Sequence, residues 1–433
     1  MSPAHPSPEV LVLGGGLSGL MAAWQLRRHG YPVRVWEASP AAGGWAQTLP
    51  WPGPKGEPGW LERGPQALQI QPGSALERLG QALGLVYLPK APKGPRWIGK
   101  GGQRHPSDLL RFPGLRLGER LRLLGEPFIP AQPPERAGEE TLAAFMARRL
   151  GRGFAREALP AFVAGVLAAP PERLGLEAMP QLRELESRGG LLWGGLRHPP
   201  QRSRHLAGGT GALAQALRMA LGAVETGRTA RRLEVRPDGG WQVWDGAVTQ
   251  ETPSVVLALP APRAASLLRD LAPQAACLIA GIPQLDLQVW HSRHPPVPHW
   301  TRGFTLLLHP PEGRGLLGVV ALAAEDPRSV PGLLQLRTYL GGAYPVASDL
   351  EDAPGLWSEL RRWLPELQDP LQTRREDSPG AFPLLEPGHA GRVASILEAL
   401  PPGLHWLGAS RFGPGIPNLA EGIERWASVG MAL

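Results

Sequence analysis

Three glycines near the amino terminus have the spacing of a turn that binds a dinucleotide. Gly14, Gly16 and Gly19 form the pattern G-x-G-x-x-G directly after EVLVL at 9–13, an apolar run that predicts a short buried parallel strand. In such a turn the first glycine permits the tight bend, the second lets a pyrophosphate approach the backbone, and the third lets the next helix pack on the sheet. The stretch therefore predicts an anion site at the amino end of that helix.

An acidic residue stands where the ribose of a nucleotide is usually held. The second predicted strand, PVRVW, leads directly into Glu37. This is about 20 residues beyond the first glycine, the usual distance for a ribose acceptor. A carboxylate here accepts hydrogen bonds from the ribose hydroxyls and repels the 2′-phosphate of NADP. We therefore expect a ligand with an unmodified adenosine ribose.

A second glycine pair, Gly43 and Gly44, is followed by Trp45. A plain NAD domain has no use for this pair. The segment resembles the second glycine motif of FAD enzymes of the amine oxidase and protoporphyrinogen oxidase superfamily, in which paired glycines wrap the flavin diphosphate. The sequence GGW is more similar to the porphyrinogen oxidase branch than to the amine oxidases. Ala41 stands where that family usually has an arginine.

The resemblance to the porphyrinogen oxidase branch extends along nearly the whole chain. Four further segments are similar to its motifs and occur in the same order. They are LERGPQAL at 61–68, the helical stretch from ETLAAF to PERL at 140–174, AGGTGALAQALRMAL at 207–221 and LHWLGASRFGPGIPNLAEGI at 404–423.

The fold class that this resemblance implies is α/β. It comprises a doubly wound, Rossmann-like FAD-binding domain of the glutathione-reductase type, an inserted α+β substrate domain and a helical domain that could face a membrane. Alternating stretches such as QLDLQVW and LLQLRTYLGG predict an antiparallel sheet in the substrate domain. The expected segments are 1–88, 190–262 and 390–433 for the FAD domain, 89–102 and 263–389 for the substrate domain, and 103–189 for the helical domain.

The cofactor implied by the resemblance is FAD. The residues expected to contact it share a position in one of the family's flavin motifs or beside it. They are Gly14, Gly16, Leu17, Ser18, Gly19, Glu37, Ala38, Gly43, Gly44, Trp45, Gly64, Pro65, Gln66, Ala230, Pro260, Gly408, Ala409, Gly415, Ile416 and Pro417.

The activity implied by the resemblance is the six-electron oxidation of protoporphyrinogen IX to protoporphyrin IX, with oxygen as acceptor and hydrogen peroxide as product. Aromatisation of the macrocycle drives this reaction. The protein therefore needs chiefly an apolar cavity that holds a bridge carbon against flavin N5, and a cation for the propionates. We expect no catalytic side chain, because the flavin carries the redox chemistry.

Arg96, in KGPRWIG, occupies the position of the family's substrate-binding arginine. An arginine at a strand edge with no ligand is the alternative interpretation. The remaining substrate-binding candidates are the expected cavity wall, although Gly165 could equally be a helix contact, and Trp97, Ile98 and the leucines could be core residues. These candidates are Trp97, Ile98, Gly165, Val166, Leu316, Leu317 and Leu340.

Three other functions remain open at this point. Coproporphyrinogen III, with four carboxylates instead of two, is the nearest alternative substrate. Flavin amine oxidation is more distant, because many amine oxidases place a lysine beside flavin N5 and the lysines here fall in early, loop-like segments: Lys55, Lys90, Lys93 and Lys100. A non-catalytic porphyrin-binding scaffold would contain no flavin.

Composition narrows the partners and the location. The formal net charge is +7, from 45 basic and 38 acidic residues. Arginine predominates, which suits anionic ligands, although a general arginine bias explains it equally well. Without a basic tail or basic-aromatic alternation we expect no nucleic-acid partner. Cys277 is the only cysteine, so no internal disulfide forms, and with no signal peptide or membrane-spanning run visible we expect a cytoplasmic protein.

Two further stretches raise ligand or membrane hypotheses. The three histidines His291, His294 and His299 suggest a metal site, but the interleaved prolines favour a solvated loop, and we expect no metal. Residues 109–128 mix leucine and phenylalanine with arginine, which fits either an ordinary amphipathic helix pair or a peripheral contact with the inner face of the cell membrane. A membrane contact, like handover of product to a chelatase, would suit a poorly soluble substrate and product.

Overall fold

The computed structural model describes residues 9–89, 94–107, 115–131, 139–197, 202–222 and 224–429. The start of the segment at 109–128 and the lysines Lys90 and Lys93 lie outside the described residues. No helix in the described ranges is long and apolar enough to span a bilayer.

The strands are numbered in chain order. They are β1 Val10–Leu13, β2 Val33–Glu37, β3 Thr48–Pro50, β4 Trp60–Glu62, β5 Leu68–Ile70, β6 Arg96–Lys100, β7 Gln103–Pro106, β8 Arg202–Arg204, β9 Val224–Thr226, β10 Arg232–Val235, β11 Trp241–Trp244, β12 Thr249–Thr252, β13 Val255–Leu257, β14 Gln284–His294, β15 Phe304–Leu308, β16 Leu316–Ala321, β17 Leu334–Gly341, β18 Gln372–Pro383 and β19 Leu404–Trp406.

The α-helices are numbered in the same way. They are α1 Leu17–Arg28, α2 Ala75–Ala82, α3 Leu117–Leu124, α4 Leu142–Leu150, α5 Arg152–Glu157, α6 Leu159–Leu167, α7 Gln181–Ser187, α8 Leu191–Arg197, α9 Gly211–Leu221, α10 Ala261–Leu268, α11 Pro273–Ala280, α12 Pro310–Gly313, α13 Ala353–Trp363, α14 His389–Glu398, α15 Ala409–Phe412 and α16 Ile416–Ser428. Short 3₁₀ turns occur at Glu126–Phe128, Leu176–Ala178, Pro298–Trp300 and Ser348–Leu350.

A five-stranded parallel sheet with the order β19-β13-β1-β2-β9 forms the first layer. Its central strands β1 and β13 are apolar and fully buried, as expected for a parallel sheet covered on both faces. Helices α1, α9 and α16 cover one face. Helices α10, α11 and α14, with strands β10 and β11, cover the other. The doubly wound α/β fold is therefore confirmed.

This sheet draws its strands from three distant parts of the chain, each inside one of the segments expected to form the FAD domain. The segment boundaries themselves stay a prediction. Two local differences are visible. Helices α10 and α11 pack against the five-stranded sheet although they fall mostly in 263–389. The segment 103–189 begins with strand β7, and its described helices follow from Leu117 onward.

A seven-stranded sheet with the order β18-β14-β17-β16-β15-β6-β7 forms the second layer. Its described pairings are antiparallel except for β15 with β6, so the expected antiparallel sheet is largely confirmed. One face packs against α13 in a cluster rich in tryptophan and leucine. The opposite face meets helices α4 to α6 and the chain that follows β4.

One row of side-chain positions crosses that second face and connects strands that are far apart in sequence. The strand registers align Arg96 with Thr305, Thr305 with Val320, Val320 with Arg337, and Arg337 with His291. Neighbouring strands lie about 4.8 Å apart, so three strand steps place Arg96 about 14 Å from Arg337.

A buried ion pair holds the helical part together. Arg149 of α4 and Glu126 are both inaccessible to solvent, and the arginine Nε donates to the carboxylate at 2.8 Å. The same carboxylate accepts the backbone N–H groups of Leu191 and Leu192 at the start of α8. A buried pair with both carboxylate oxygens hydrogen-bonded helps to fix how the surrounding helices meet, since losing one partner would leave an uncompensated charge.

Candidate active site

Two positions in the glycine turn after β1 have no room for a side chain. Gly14 has φ +105°, a conformation that L side chains rarely adopt, and a Cβ there would lie 2.5 Å from the carbonyl oxygen of Ala258. A Cβ on Gly19 would overlap the carbonyl oxygen of Gly14. Any side chain at Gly19 would therefore push α1 away from the sheet, as the spacing of the motif predicts.

Glu37 reaches back onto this turn from the end of β2. One carboxylate oxygen accepts the backbone N–H of Gly15 at 2.6 Å, and the other accepts the N–H of Ser39 at 2.7 Å. Ala38, between Glu37 and Ser39, is exposed. The acidic side chain is thus fixed beside the glycine turn, in the position expected for a ribose acceptor.

The second glycine pair packs directly against the first turn. Gly43 donates its backbone N–H to the carbonyl oxygen of Gly15 at 2.8 Å. A Cβ on Gly44 would lie 3.2 Å from the Cα of Gly16. A Cβ on Gly16, in contrast, would meet no described atom closer than 3.9 Å. The two motifs therefore form one cradle, and Gly16 faces its open space.

Two helix amino termini meet at this cradle without side-chain caps. Gly16 is the N-cap of α1 and Gly415 is the N-cap of α16, and neither provides a side chain to bond the first-turn amides. A Cβ on Gly408 would lie 4.0 Å from the Ser18 hydroxyl, which places the closing motif against the start of α1. Free amides and positive helix ends suit a phosphate group.

The segment from Arg63 to Gln66 is held rigidly after β4. Thr210 Oγ1 donates to the carbonyl oxygen of Pro65 at 2.9 Å, and Arg337 Nη2 donates to that of Gly64 at 2.6 Å. The carbonyl oxygen of Gln66 is 2.9 Å from His205 Nδ1. A Cβ on Gly64 would overlap the carbonyl oxygen of Trp45, so this segment packs against the chain after the glycine pair.

Glu62 anchors the start of that segment. It is 4% exposed and its carboxylate accepts hydrogen bonds from the Thr210 backbone and hydroxyl and from Thr48 Oγ1. Burial raises the pKa of Glu62, and the three donors oppose this shift. The carboxylate thereby ties β4 to the loop that begins α9.

The other predicted cofactor residues follow the carboxyl ends of strands β1, β9, β13 and β19 of the five-stranded sheet. Arg228 donates its backbone N–H to the carbonyl oxygen of Glu37 at 2.8 Å, which brings the chain leading to Ala230 beside the end of β2. Pro260 follows β13 and is the N-cap of α10. Leu17 is buried in the first turn of α1, and Ala409, Ile416 and Pro417 begin α15 and α16.

Arg96 is the first residue of β6 and its side chain is exposed. Its guanidinium has no hydrogen-bond or ionic partner among the described residues. Ile98 shares its face of the strand and is fully buried among α4 to α6. The arginine is therefore free to bind a carboxylate at the edge of the helical layer.

Trp97, Leu316 and Leu340 lie on the opposite face of the sheet from Arg96, so the structure does not bring them together with it. Alternation along β6 turns Trp97 to the other side of the sheet, where it stacks on Phe304 with ring centroids 5.3 Å apart. Leu316 and Leu340 are fully buried there in the cluster beneath α13. Leu316 and Leu340 are core residues, and Trp97 is partly buried at the edge of the same cluster. Contact of these three residues with a substrate stays a prediction.

Gly165 and Val166 belong to α6, and Leu317 lies on the face of the large sheet that this helix covers. Gly165 approaches β15 so closely that a Cβ would overlap Leu307 Cδ2, yet the residue is exposed on its other side. Val166 is 62% exposed, which is high for an apolar helix residue. Leu317 is buried against Ala168 and Tyr339 in a small separate cluster. Gly165 and Val166 thus form an exposed apolar margin on α6, whereas Leu317 is buried.

The three histidines do not meet. His291 and His294 are buried on opposite faces of β14, because their positions in the strand differ by three, an odd number. His299 is exposed in a 3₁₀ turn, 3.5 Å from Glu366. Within the described ranges no group of three or more potential metal ligands occurs.

Arg337 and Arg63 were not among the site residues predicted from the sequence. Arg337 is 4% exposed, and the Arg63 guanidinium lies 5.0 Å from the Trp45 ring centroid and 3.5 Å from Glu376. One signal was available in LQLRTYL, where leucines alternate with Gln335, Arg337 and Tyr339. That pattern indicates a strand with one polar buried face.

Residues 17–409 match the model of a family described as flavin containing amine oxidoreductase. The chain belongs to this family. Membership makes the protein a flavin-dependent oxidoreductase with FAD as its cofactor, and both expectations are confirmed.

Curated relatives of this flavoprotein confirm its resemblance to the porphyrinogen oxidases. It is 30% identical over 381 residues to a protoporphyrinogen oxidase of Homo sapiens, which covers 77% of each chain. It is 27% identical over 460 residues to a chloroplastic protoporphyrinogen oxidase of Oryza sativa subsp. japonica, covering 92% of this chain and 82% of that one.

Solved structures with the same fold include both branches of the family. A protein of Exiguobacterium sp. 255-15, proposed to be a protoporphyrinogen oxidase, superposes with a TM-score of 0.77 at 19% identity, covering 98% and 99% of the two chains. Cyclohexylamine oxidase from Brevibacterium oxydans IH-35A gives a TM-score of 0.73 at 20% identity, covering 98% of each chain. At such identities these likenesses establish the fold alone.

The geometry fits FAD at the points that can be tested without a ligand. The cradle at Gly16 has room that a Cβ would occupy, the uncapped start of α1 adjoins it with Gly408 of the closing motif packed beside Ser18, and Glu37 is fixed beside it. These features suit an adenosine diphosphate group.

Proposed function

We propose that the flavoprotein oxidises protoporphyrinogen IX to protoporphyrin IX, with oxygen as the electron acceptor and hydrogen peroxide as product. The observation that carries this proposal is the 30% identity to a protoporphyrinogen oxidase across 77% of both chains. Six electrons and six protons leave the macrocycle, and three molecules of oxygen take them up as three molecules of peroxide.

The cofactor would be held at its two ends by different groups. In the proposed arrangement the uncapped amides of α1 and α16 receive the diphosphate, Glu37 accepts the ribose hydroxyls, and the backbone from Gly64 to Gln66 borders the ring system. When bound, FAD supplies the acceptor for the hydride removed from a bridge carbon. In this arrangement the chain would fix the position of that ring, because Arg337 and Thr210 hold the bordering carbonyl groups.

The substrate would be positioned by one cation and an apolar margin. Arg96 is exposed and unpaired among the described residues, so its guanidinium can take a propionate in a two-pronged contact. The exposed Val166 and the small Gly165 leave a smooth apolar surface on which a macrocycle can lie. In this proposal, these groups orient a bridge carbon toward the segment that starts at Arg63.

Coproporphyrinogen III is the second candidate substrate. The observation in its favour is an additional pair of arginines on the same sheet face, Arg63 and Arg374, which share the carboxylate of Glu376 at 3.5 and 2.6 Å. Both arginines are partly exposed, so either could turn to an extra carboxylate of a more anionic substrate.

An amine oxidase function has less support. Lys55 lies in an exposed turn, and Lys100 pairs with Glu157 of α5. Across the described part of the chain, no lysine lies in or beside the segment from Arg63 to Gln66. The amine oxidases among the structural neighbours are too distant in sequence to indicate a substrate.

Steady-state turnover by the purified holoenzyme tests the proposal. Porphyrin fluorescence and peroxide release would be followed in air with protoporphyrinogen IX, coproporphyrinogen III and a panel of amines. We expect protoporphyrinogen IX to give the highest kcat/KM, with three peroxides per porphyrin. A large preference for coproporphyrinogen III would replace the proposed substrate, and turnover of amines alone would reject porphyrinogen chemistry.

We further propose that the enzyme is cytoplasmic and contacts the inner face of the cell membrane through α3 and the turn after it. Leu117, Leu121 and Phe128 are 74%, 60% and 86% exposed, and Arg116 and Arg122 lie among them. Apolar tips flanked by cations suit an anionic bilayer surface. Such contact would let a poorly soluble product pass to a chelatase.

A further inference from the structure

A small internal cavity of about 20 Å³ lies between β4 with its following segment and the large sheet. Trp60, Glu62 and Gln66 border it on one side, and His291 of β14 and Arg337 of β17 border it on the other. Arg328 closes one end. The cavity is thus behind the segment that holds Gly64, on the side of the sheet.

The cavity wall carries hydrogen-bond donors that bond to nothing else in the described residues. They are the indole N–H of Trp60, Nε and Nη1 of Arg337, and Nε2 of His291, which donates in one of its two tautomers. Arg337 and His291 are 4% and 2% exposed, so bulk water does not serve them. A buried donor without a partner destabilises the folded state.

Two of the side-chain acceptors on the wall are already engaged. The Glu62 carboxylate accepts from Thr210 and Thr48, and Gln335 Oε1 accepts from Arg293. A water molecule in the cavity would have to donate two hydrogens as well as accept, and the Glu62 and Gln335 oxygens already accept other hydrogen bonds. An occupant that only accepts hydrogen bonds satisfies the wall better.

Charge favours the same occupant. Arg328 is neutralised by Asp326, with Nε donating to the carboxylate at 2.7 Å. Arg337 has no carboxylate within 4.0 Å among the described residues, and neither has Arg293, which lies behind His291 on β14. The surrounding arginines and burial hold the pKa of His291 well below its usual value, so that ring adds no charge of its own. Two buried cations, Arg337 and Arg293, thus lie at or behind a wall that carries one carboxylate, Glu62, and this leaves a net positive charge.

We propose that this cavity is a binding site for a single monatomic anion, of the size and charge of chloride or bromide. A cavity that holds one water-sized particle needs roughly 10–15 Å³, so this one has room for a single small ion. The anion would accept hydrogen bonds from Trp60 and Arg337 and would neutralise the guanidinium. With the anion on Nε and Nη1 of Arg337, the remaining nitrogen, Nη2, donates to the carbonyl oxygen of Gly64.

Anomalous diffraction from crystals of the holoenzyme grown with sodium bromide locates the ion directly. The expected result is one bromide peak within hydrogen-bond distance of Trp60 Nε1 and Arg337. Absence of a peak in the cavity at saturating bromide overturns the proposal. This measurement needs no variant and does not depend on which substrate the enzyme uses.

A stability titration separates a built site from an adventitious ion. The melting temperature of the holoenzyme would be followed with sodium bromide replacing sodium gluconate at constant ionic strength. We expect a saturable rise, as for any ligand that binds only the folded state, and no rise with sodium sulfate in its place. A bromide peak without a saturable rise would mean an adventitious ion only and would count against the site.

Two matched tryptophan variants identify the donor. Trp60→Phe removes one indole N–H from the cavity wall, and Trp24→Phe removes another buried indole N–H that has no partner but lies on α1, away from the cavity. We expect Trp60→Phe to weaken the halide response at least about five-fold and Trp24→Phe to leave it unchanged. Equal responses in both variants would contradict the assigned position of the ion.

Discussion

The backbone N–H of Gly15 donates a 2.6 Å hydrogen bond to the carboxylate of Glu37. This bond connects the two local signals from which the nucleotide site was predicted, the glycine turn and the acidic end of β2. It also fixes the carboxylate before any ligand arrives, because the second oxygen is held by the N–H of Ser39. A preorganised acceptor of this kind reduces the entropy lost when the ribose binds.

Removing this carboxylate should weaken FAD binding. We expect Glu37→Ala to cost about 1.5–3 kcal/mol, the range for hydrogen bonds that involve a charged group. Titration of the apoprotein with FAD measures the change. Glu225→Ala is the matched control, since Glu225 lies beside Trp36 on the neighbouring strand β9 and pairs with Arg34. Equal FAD affinity in wild type and Glu37→Ala would show that this residue does not hold the ribose.

Two alanine substitutions in one turn should affect different properties, FAD affinity in one variant and fold stability in the other. Gly16 has φ −70° and open space, so Gly16→Ala should change the stability of the apoprotein by less than about 0.5 kcal/mol. It should nevertheless weaken FAD binding about ten-fold or more, because the Cβ fills the cradle. Gly19→Ala should destabilise the apoprotein itself by about 1–3 kcal/mol through overpacking against Gly14. Urea unfolding and FAD titration of both variants check this contrast, and normal FAD affinity in Gly16→Ala would place the diphosphate elsewhere.

Arg96 should act through substrate affinity. A contact that is similar in the ground and transition states changes mainly KM, so Arg96→Ala should raise KM for the porphyrinogen about ten- to a hundred-fold with normal FAD content. Arg96→Lys should recover only part of this, since an ammonium cannot make the two-pronged contact. Arg104→Ala is a suitable control, because Arg104 stacks on Trp97 at the other face of the sheet. An unchanged KM in Arg96→Ala would reject the proposed orientation of the substrate.

Acid should destabilise the fold through buried neutral histidines. Burial lowers the pKa of His405 to about 4, and that of His294 to about 4, from an unfolded value of about 6.5. The unfolded chain therefore binds more protons between pH 6.5 and 4, and the free energy of unfolding falls as pH falls through this window.

The variant His405→Phe isolates one of these groups, since its ring already packs against Trp426 at 5.5 Å. The slope of unfolding free energy against pH should decrease by up to about 1.4 kcal/mol per pH unit. Urea unfolding at several pH values measures it, with His29→Phe at the exposed end of α1 as control. Identical slopes in wild type and His405→Phe would mean that the ring charges freely in the folded state.

Membrane contact predicts a local effect of charge on α3. Placing aspartate at Leu121 or Phe128 should reduce binding to vesicles that contain anionic lipid by about ten-fold, since burial of such a side chain contributes roughly 1.5–3 kcal/mol. Met219→Asp is the control, because Met219 is 72% exposed on α9 of the FAD domain. If the wild type does not sediment with these vesicles at low salt, the proposed contact is wrong.

The sequence predicted the nucleotide-binding features well because their physical causes are local. A glycine at φ +105°, a glycine under a carbonyl oxygen and a carboxylate at the end of a strand each leave a mark within a few residues. The order of the motifs along the chain then identified the family and its doubly wound sheet.

The substrate side was harder to predict, since it depends on strand register and on contacts between distant segments. Alternation along β6 separates Trp97 from Arg96, and neither the start nor the phase of that strand is evident in KGPRWIG. Arg337 and Gly64 are 273 residues apart, so no local pattern could show that one supports the other. Leu316 and Leu340 look like any strand leucine until the position of α13 is known.

Anaerobic mixing of the oxidised holoenzyme with protoporphyrinogen IX tests the central claim most directly. The visible absorbance of the bound flavin reports its reduction without any need for oxygen or a coupled assay. We predict rapid bleaching by protoporphyrinogen IX, recovery of the oxidised spectrum and release of peroxide when air is admitted, and no bleaching by amines. Flavin that stays oxidised with protoporphyrinogen IX, in a protein that contains full FAD, would contradict the proposed function.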